Sequence, residues 1–248
     1  MSNHTIIWQY CDKGTIFLNR LLGPREFALK EYIFVVGPFS SGTTAVAGLL
    51  MRLGAVGLSP FLSTNDPRTP TSLESLAFRQ LCDSLISEDT FEFQRNGREK
   101  CVPMLLGFRD HLDELRERGE RRPFVLKRAT SAFILREIDL VFQPSFVFVY
   151  RDLQGIENTK VRRRWSESHG EWGANLIYEE MRKFSGEKVV EEVEFSELRQ
   201  CPRAISERLS RNLGLNPTEE MLTAASRWIT NHSTGIVLER PSHGTEGP

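Results

Sequence analysis

Hydrophobic positions fall into two kinds of run along this chain. The short runs are apolar without a break: Tyr32-Ile33-Phe34-Val35-Val36, Phe124-Val125-Leu126 and Phe146-Val147-Phe148-Val149-Tyr150. A strand with one wet face alternates polar and apolar residues, so unbroken runs of this length predict strands buried on both faces. A fourth run, 188–195, is rich in Val but broken by Glu, as expected nearer a sheet edge. Helical periodicity predicts helices over 43–53, 72–86, 109–118, 131–142, 155–165, 171–184, 202–213 and 217–231. Strand and helix in alternation imply a parallel sheet with helices on both faces. The expected architecture is therefore a three-layer α/β/α fold with a central parallel sheet of 4-5 strands.

Composition changes this picture little. No internal repeat or low-complexity linker interrupts the chain, so one α/β domain over 1–230 is expected. A C-terminal segment, 231–248, differs in composition, and its last eight residues are expected to form a disordered tail. The 248 residues carry 32 Lys and Arg against 33 Asp and Glu, a net charge of −1. That balance excludes a protein held on nucleic acid or anionic lipid by bulk charge. The cations are uneven, however, with 25 Arg and 7 Lys. Arg presents a planar fork of donors suited to phosphate and sulfate oxygens. The four cysteines, Cys11, Cys82, Cys101 and Cys201, form no CxxC pair, and the five His show no ligand spacing. A zinc knuckle, a redox dithiol and a metal centre are therefore not indicated. No run reaches the ~18 apolar residues that span a bilayer. Residues 1–25 are too polar for a signal peptide, so the expected compartment is the cytoplasm.

The first buried strand runs straight into Gly37-Pro38-Phe39-Ser40-Ser41-Gly42-Thr43-Thr44 and then a helix. A strand, a glycine loop and a helix N-terminus point backbone amides at an anion, and the Thr43 and Thr44 hydroxyls add donors. The spacing fits the phosphate loop of nucleotide triphosphatases, except that Thr43 stands where they carry Lys. That exchange weighs against ATP or GTP hydrolysis.

Ser41-Gly42-Thr43-Thr44 resembles the 5′-phosphosulfate loop of the sulfotransferases, enzymes that use 3′-phosphoadenosine 5′-phosphosulfate (PAPS) on a P-loop NTPase-like fold. Two further motifs follow in the family's order. Phe148-Val149-Tyr150-Arg151-Asp152, with Thr159 eight residues after the Arg, resembles the 3′-phosphate motif of a strand ending in Arg and a hydroxyl one helical segment later. Val193-Glu194-Phe195-Ser196-Glu197-Leu198, then Pro202 and a Leu209-to-Leu215 helix end, resembles the family's late strand and turn, with Phe195 near the adenine. The basic run at Arg162, Arg163 and Arg164 could replace a late cluster that closes over the 3′-phosphate, and Arg163 is taken as its representative.

The resemblance implies a divergent, bacterial-type branch. Ser40 stands where the family usually carries a cation, a His two residues after the strand Lys is missing, and Ala45 replaces a stacking Trp. Lys127, at the end of the second strand, matches the family's strand lysine and is the expected cation for the departing phosphate. Some relatives use a carboxylate as base. Among Asp66, Glu74 and His111, Glu74 is chosen, although Thr71-Ser72-Leu73-Glu74 also reads as a capping box. The variable segment, about 59–113, is expected to cover the acceptor. Its Phe61, Phe78, Phe91, Phe93, Met104 and Phe108 are equally readable as pocket or core. The implied reaction is metal-free in-line transfer of the sulfuryl group from PAPS to a small-molecule, carbohydrate or lipid hydroxyl, leaving the 3′,5′-bisphosphate (PAP). A homodimer is compatible with this reading. Two alternatives stay open: a P-loop nucleotide or small-molecule kinase, and a non-catalytic nucleotide-binding relative.

Overall fold

Five parallel strands form the central sheet, in the order β2-β5-β1-β6-β7. The computed structural model describes residues 31–66 and 69–234. The strands are β1 (Tyr32–Val36), β2 (Val56–Gly57), β5 (Phe124–Lys127), β6 (Ser145–Tyr150) and β7 (Glu191–Glu194). The three apolar runs are its three inner strands, and the Glu-rich run lies at an edge. The other edge, β2, is two residues long and carries no sequence signal.

Period-two geometry divides the inner strands into unlike faces. Tyr32, Phe34, Phe124, Leu126, Phe146 and Phe148 enter one core cluster, while Ile33, Val35, Val125, Val147 and Val149 enter the other. Phenylalanine therefore collects on one side. Phe34 meets Phe78 edge-on at 5.5 Å, and Phe146 meets Phe184 at 4.8 Å. That face is covered by α2 (Leu76–Leu85), α3 (Gly97–Glu117), α4 (Leu135–Phe142) and α6 (Glu171–Ser185). The aliphatic face is covered by α1 (Thr43–Arg52), α8 (Pro202–Leu213) and α9 (Glu219–Thr234). These are the three layers of an α/β/α P-loop-like fold.

Several boundaries differ from expectation. Residues 72–75 are not helical. Thr71–Ser75 is strand β4, paired antiparallel with β3 (Phe61–Ser63). The expected Thr71-to-Glu74 capping box therefore does not form. The cap is Ser75, whose hydroxyl accepts from the Phe78 amide. The α3 helix begins at Gly97, twelve residues before the predicted start, and runs through Pro103. Its buried Cys101, Leu105, Phe108 and Leu112 keep helical spacing across the proline, and this packing outweighs one lost backbone bond. The α9 helix passes residue 231 and ends at Thr234. The predicted tail after it, Cys11 and the N-terminal 1–25 lie outside the described residues.

Candidate functional site

The carboxyl ends of β1, β5, β6 and β7 open on one cleft of about 1000 Å³. Ligands of open α/β sheets collect at such an edge. The loop after β1 bends through two left-handed residues, Ser40 (φ 66°) and Gly42 (φ 104°). Glycine is required at 42 for a second reason, since a Cβ there would lie 2.3 Å from the Phe195 ring. The N-terminus of α1 follows without a side-chain cap. Its first intrahelical bond runs from the Val46 amide to the Gly42 carbonyl (3.1 Å), leaving the amides of residues 43–45 without intrahelical partners. Among the described residues the Ser40 and Ser41 hydroxyls are buried and make no hydrogen bond. Such orphans are rare in a finished structure. Uncapped amides and orphaned hydroxyls at one helix end suit an anion.

Arg151 leaves β6 beside this loop. Its Nη1 donates to the Ser40 carbonyl (2.8 Å), and its guanidinium lies 5.1 Å over the Phe195 ring. The backbone of Arg151 is clipped on both sides by Tyr178 of α6. The Arg151 amide donates to the Tyr178 hydroxyl (2.8 Å), which donates to the Arg151 carbonyl (2.9 Å). Thr159 lines the cleft on α5 (Leu153–Arg163), its hydroxyl bonded back to the Gly155 carbonyl (2.9 Å). Arg163 also lines it, paired with Asp66 (2.5 Å) and donating to Thr69 Oγ1 (2.8 Å), while Arg162 reaches Asp66 at 3.3 Å. Thr44 Oγ1 donates to the Ser72 carbonyl (3.0 Å), which ties α1 to β4.

Lys127 and Glu74, 53 positions apart, meet in a buried ion pair of 2.9 Å. Arg128 takes the second Glu74 oxygen at 3.0 Å and also reaches Asp83 (2.5 Å) and Glu88. Burial pushes the Glu74 carboxyl up, but the charges and hydrogen bonds of Lys127 and Arg128 outweigh it and hold it below its ordinary value. Burial pulls the Lys127 ammonium down, and Glu74 offsets only part of this. For Glu88, burial raises the carboxyl, yet the His169 hydrogen bond and the Arg128 charge bring it to about 2. His169 Nε2 stands 2.9 Å from Glu88.

Thus Ser40, Gly42, Thr43, Thr44, Glu74, Lys127, Arg151, Thr159, Arg163 and Phe195 all line one cleft. Ser41 is buried behind it. Of the other candidates, Asp66 lines the cleft, while His111 is exposed on α3 away from it. The aromatic acceptor pocket does not form. Phe78, Phe91 and Phe108 are core residues, Phe93 and Met104 pack against that core, and Phe61 lies against Gly57. Sequence reasoning assigned no role to Arg79, Glu88, Arg128, Trp165 or His169, which also line the cleft. They come from α2 (Arg79), the turn after it (Glu88), the end of β5 (Arg128) and the segment after α5 (Trp165, His169), and no local spacing signals their convergence.

No family model matches the chain, and no curated relative matches its sequence. The fold does have solved counterparts. It is similar to the sulfotransferase domain of the Synechococcus PCC 7002 olefin synthase, at 14% identity over 82% of this chain and 79% of that one (TM-score 0.52). A sulfotransferase domain from the curacin biosynthetic pathway matches at 15% identity over 79% and 77% (0.50). Sulfotransferase STF9 from Mycobacterium avium matches at 12% over 87% and 71% (0.54). The chain therefore has the fold of the sulfotransferases. Among the described residues, no helix is long and apolar enough to cross a membrane.

Proposed function

We propose that this chain is a sulfotransferase that moves a sulfuryl group from PAPS to a hydroxyl of a small-molecule acceptor. The observation that carries this reading is the uncapped α1 N-terminus with the orphaned Ser40 hydroxyl, on the same cleft as Arg151 from the adjacent strand, and the orphaned Ser41 hydroxyl buried behind it. The loop amides of Ser40, Ser41, Gly42, Thr43 and Thr44 would hold the 5′-phosphosulfate. Arg151, Thr159 and Arg163 would hold the 3′-phosphate, with Phe195 packed near the adenine.

The donor brings the sulfuryl group, and the chain supplies position and charge. The acceptor oxygen would bond to sulfur and release its proton to solvent water in the open cleft, while the sulfur–oxygen bond to the 5′-phosphate breaks and its electron pair stays on the phosphate. Lys127 and the loop amides neutralise that charge, which is the main lever a protein has on such a transfer. In this proposal Glu74 takes a positioning role in place of the base expected there, since both its oxygens are held by cations. On this reading the protein works in the cytoplasm with reduced thiols, of which Cys82 and Cys101 are buried.

Calorimetry with adenosine 3′,5′-bisphosphate and with ATP–Mg²⁺ tests the assignment. The bisphosphate should bind, and Arg151→Ala should weaken it at least tenfold through loss of a charge-assisted contact worth roughly 1.5–3 kcal/mol. Binding of ATP alone would sink the reading in favour of a kinase.

A further inference from the structure

The variable segment of the chain gives the cleft no apolar chamber. The side chains lining it include ten Asp, Glu, Lys and Arg but only six apolar ones: Pro38, Phe39, Leu62, Ala129, Trp165 and Phe195. Phe195 lies against the phosphate loop. Two of the others form a strip with a histidine. The Phe39 ring lies against His169, tilted 33° with centroids 4.0 Å apart, and Trp165 lies 5.0 Å from the same imidazole. Charged groups border this strip. Glu88 reaches His169 at 2.9 Å, and Arg79 stands 3.6 Å from Glu88. Arg163 lies 4.5 Å over the Trp165 ring and pairs with Asp66, so around the strip three guanidinium groups (Arg79, Arg128, Arg163) face three carboxylates (Asp66, Asp83, Glu88).

We propose that the acceptor is an uncharged sugar or similar cyclic polyol, bound along the Phe39–His169–Trp165 strip with its hydroxyl edge toward Arg79 and Glu88. This rests on the sulfotransferase reading and narrows its substrate class. A lipid tail or steroid docked here would take water from charged groups and return no hydrogen bonds, a heavy penalty. Each sugar hydroxyl both donates and accepts, which suits a guanidinium beside a carboxylate with spare lone pairs. Arg79 and Glu88 keep side-chain exposures of 30% and 25%, so both remain within reach of a ligand. The C–H face of a sugar ring packs on aromatic rings, and ring contacts are worth roughly 0.5–1.5 kcal/mol each. Charge balance favours a neutral acceptor over an anionic one.

The test supplies the full chain with labelled PAPS and three acceptors: a methyl glycoside, 4-nitrophenol, and octanol in detergent micelles. The glycoside should be sulfated with a kcat/KM at least tenfold above the other two. Trp165→Ala and Arg79→Ala should each raise its KM about tenfold, while in Arg79→Ala the calorimetric affinity for the bisphosphate stays within about twofold. Preference for the phenol or octanol overturns the proposal, as does an unchanged KM in both variants. Bisphosphate binding without sulfation of the glycoside overturns the acceptor assignment and leaves the nucleotide assignment standing. Failure to bind the bisphosphate overturns both.

Discussion

Replacing Lys127 by alanine probes a deeply buried charge in the cleft. Lys127 is 4% exposed, and its partner Glu74 is 6% exposed. Removing one member of a buried pair typically costs about 3–5 kcal/mol, because the other charge stays behind without compensation. Glu74 keeps its 3.0 Å contact to Arg128, which places the expected loss near the lower end, about 3 kcal/mol. With a urea slope of about 1–3 kcal/mol per molar, the unfolding midpoint should fall by about 1–3 M. In a Glu74→Gln background the same substitution should cost about 1 kcal/mol or less, leaving a coupling energy of about 2 kcal/mol. Since Glu74 is held below its ordinary 4.5, its contribution is complete above about pH 4.5 and fades as pH drops through the native value. The cost of Lys127→Ala should shrink over the same acid range. A midpoint shift under about 0.3 M, or additive single and double variants, would refute the buried pair as the organising contact. Turnover of PAPS should fall more than bisphosphate affinity does.

Three further outcomes are expected. Gly42→Ala drives a Cβ into the Phe195 ring and strains a residue at φ 104°. It should cost about 1–3 kcal/mol in urea unfolding and weaken the bisphosphate, and an unaltered loop would contradict the packing. Asp66→Asn removes the carboxylate that faces Arg162 and Arg163. Calorimetry should show tighter bisphosphate binding but unchanged binding of adenosine 5′-monophosphate. The Glu88 carboxyl, lowered to about 2, should contribute stability in full above about pH 4.5 and lose it as pH falls toward about 2. Acid titration of helicity should show that component disappear in Glu88→Gln.

The inner sheet was legible because burial on both faces leaves an unmistakable apolar run. Residues 32–36 match β1 end to end. The α8 helix is equally plain, with Pro202 opening it and Gly214 in the left-handed conformation closing it. The β3–β4 hairpin was not legible, since Thr71-Ser72-Leu73-Glu74 carries the polar residues of a helix cap and shows no clear alternation. The strand is settled by its pairing with β3 and its contacts with β5, α1 and α2, all outside the local sequence. The glycine turn between β1 and α1 and the place of Arg151 at the end of β6 were legible from local order along the chain. The Glu74–Lys127 contact and the Arg128–Glu88–His169 chain did not, because they depend on how distant segments are brought together. The choice between core and pocket for the aromatic residues of 59–113 was open for a related reason: phenylalanine suits a sheet face and a ligand wall equally well.

The loop after β1 and Arg151 after β6 sit on hydrogen-bonded neighbours whose register runs from Ile33 opposite Ser145 to Val36 opposite Phe148. The span between the two anion positions proposed above is therefore set by backbone pairing, and side-chain substitutions can weaken either end without moving it. The sheet acts as a ruler of fixed length. Drift in the helices and loops around it can retune what lies beside the ruler, but a ligand of different phosphate spacing would need a different strand order.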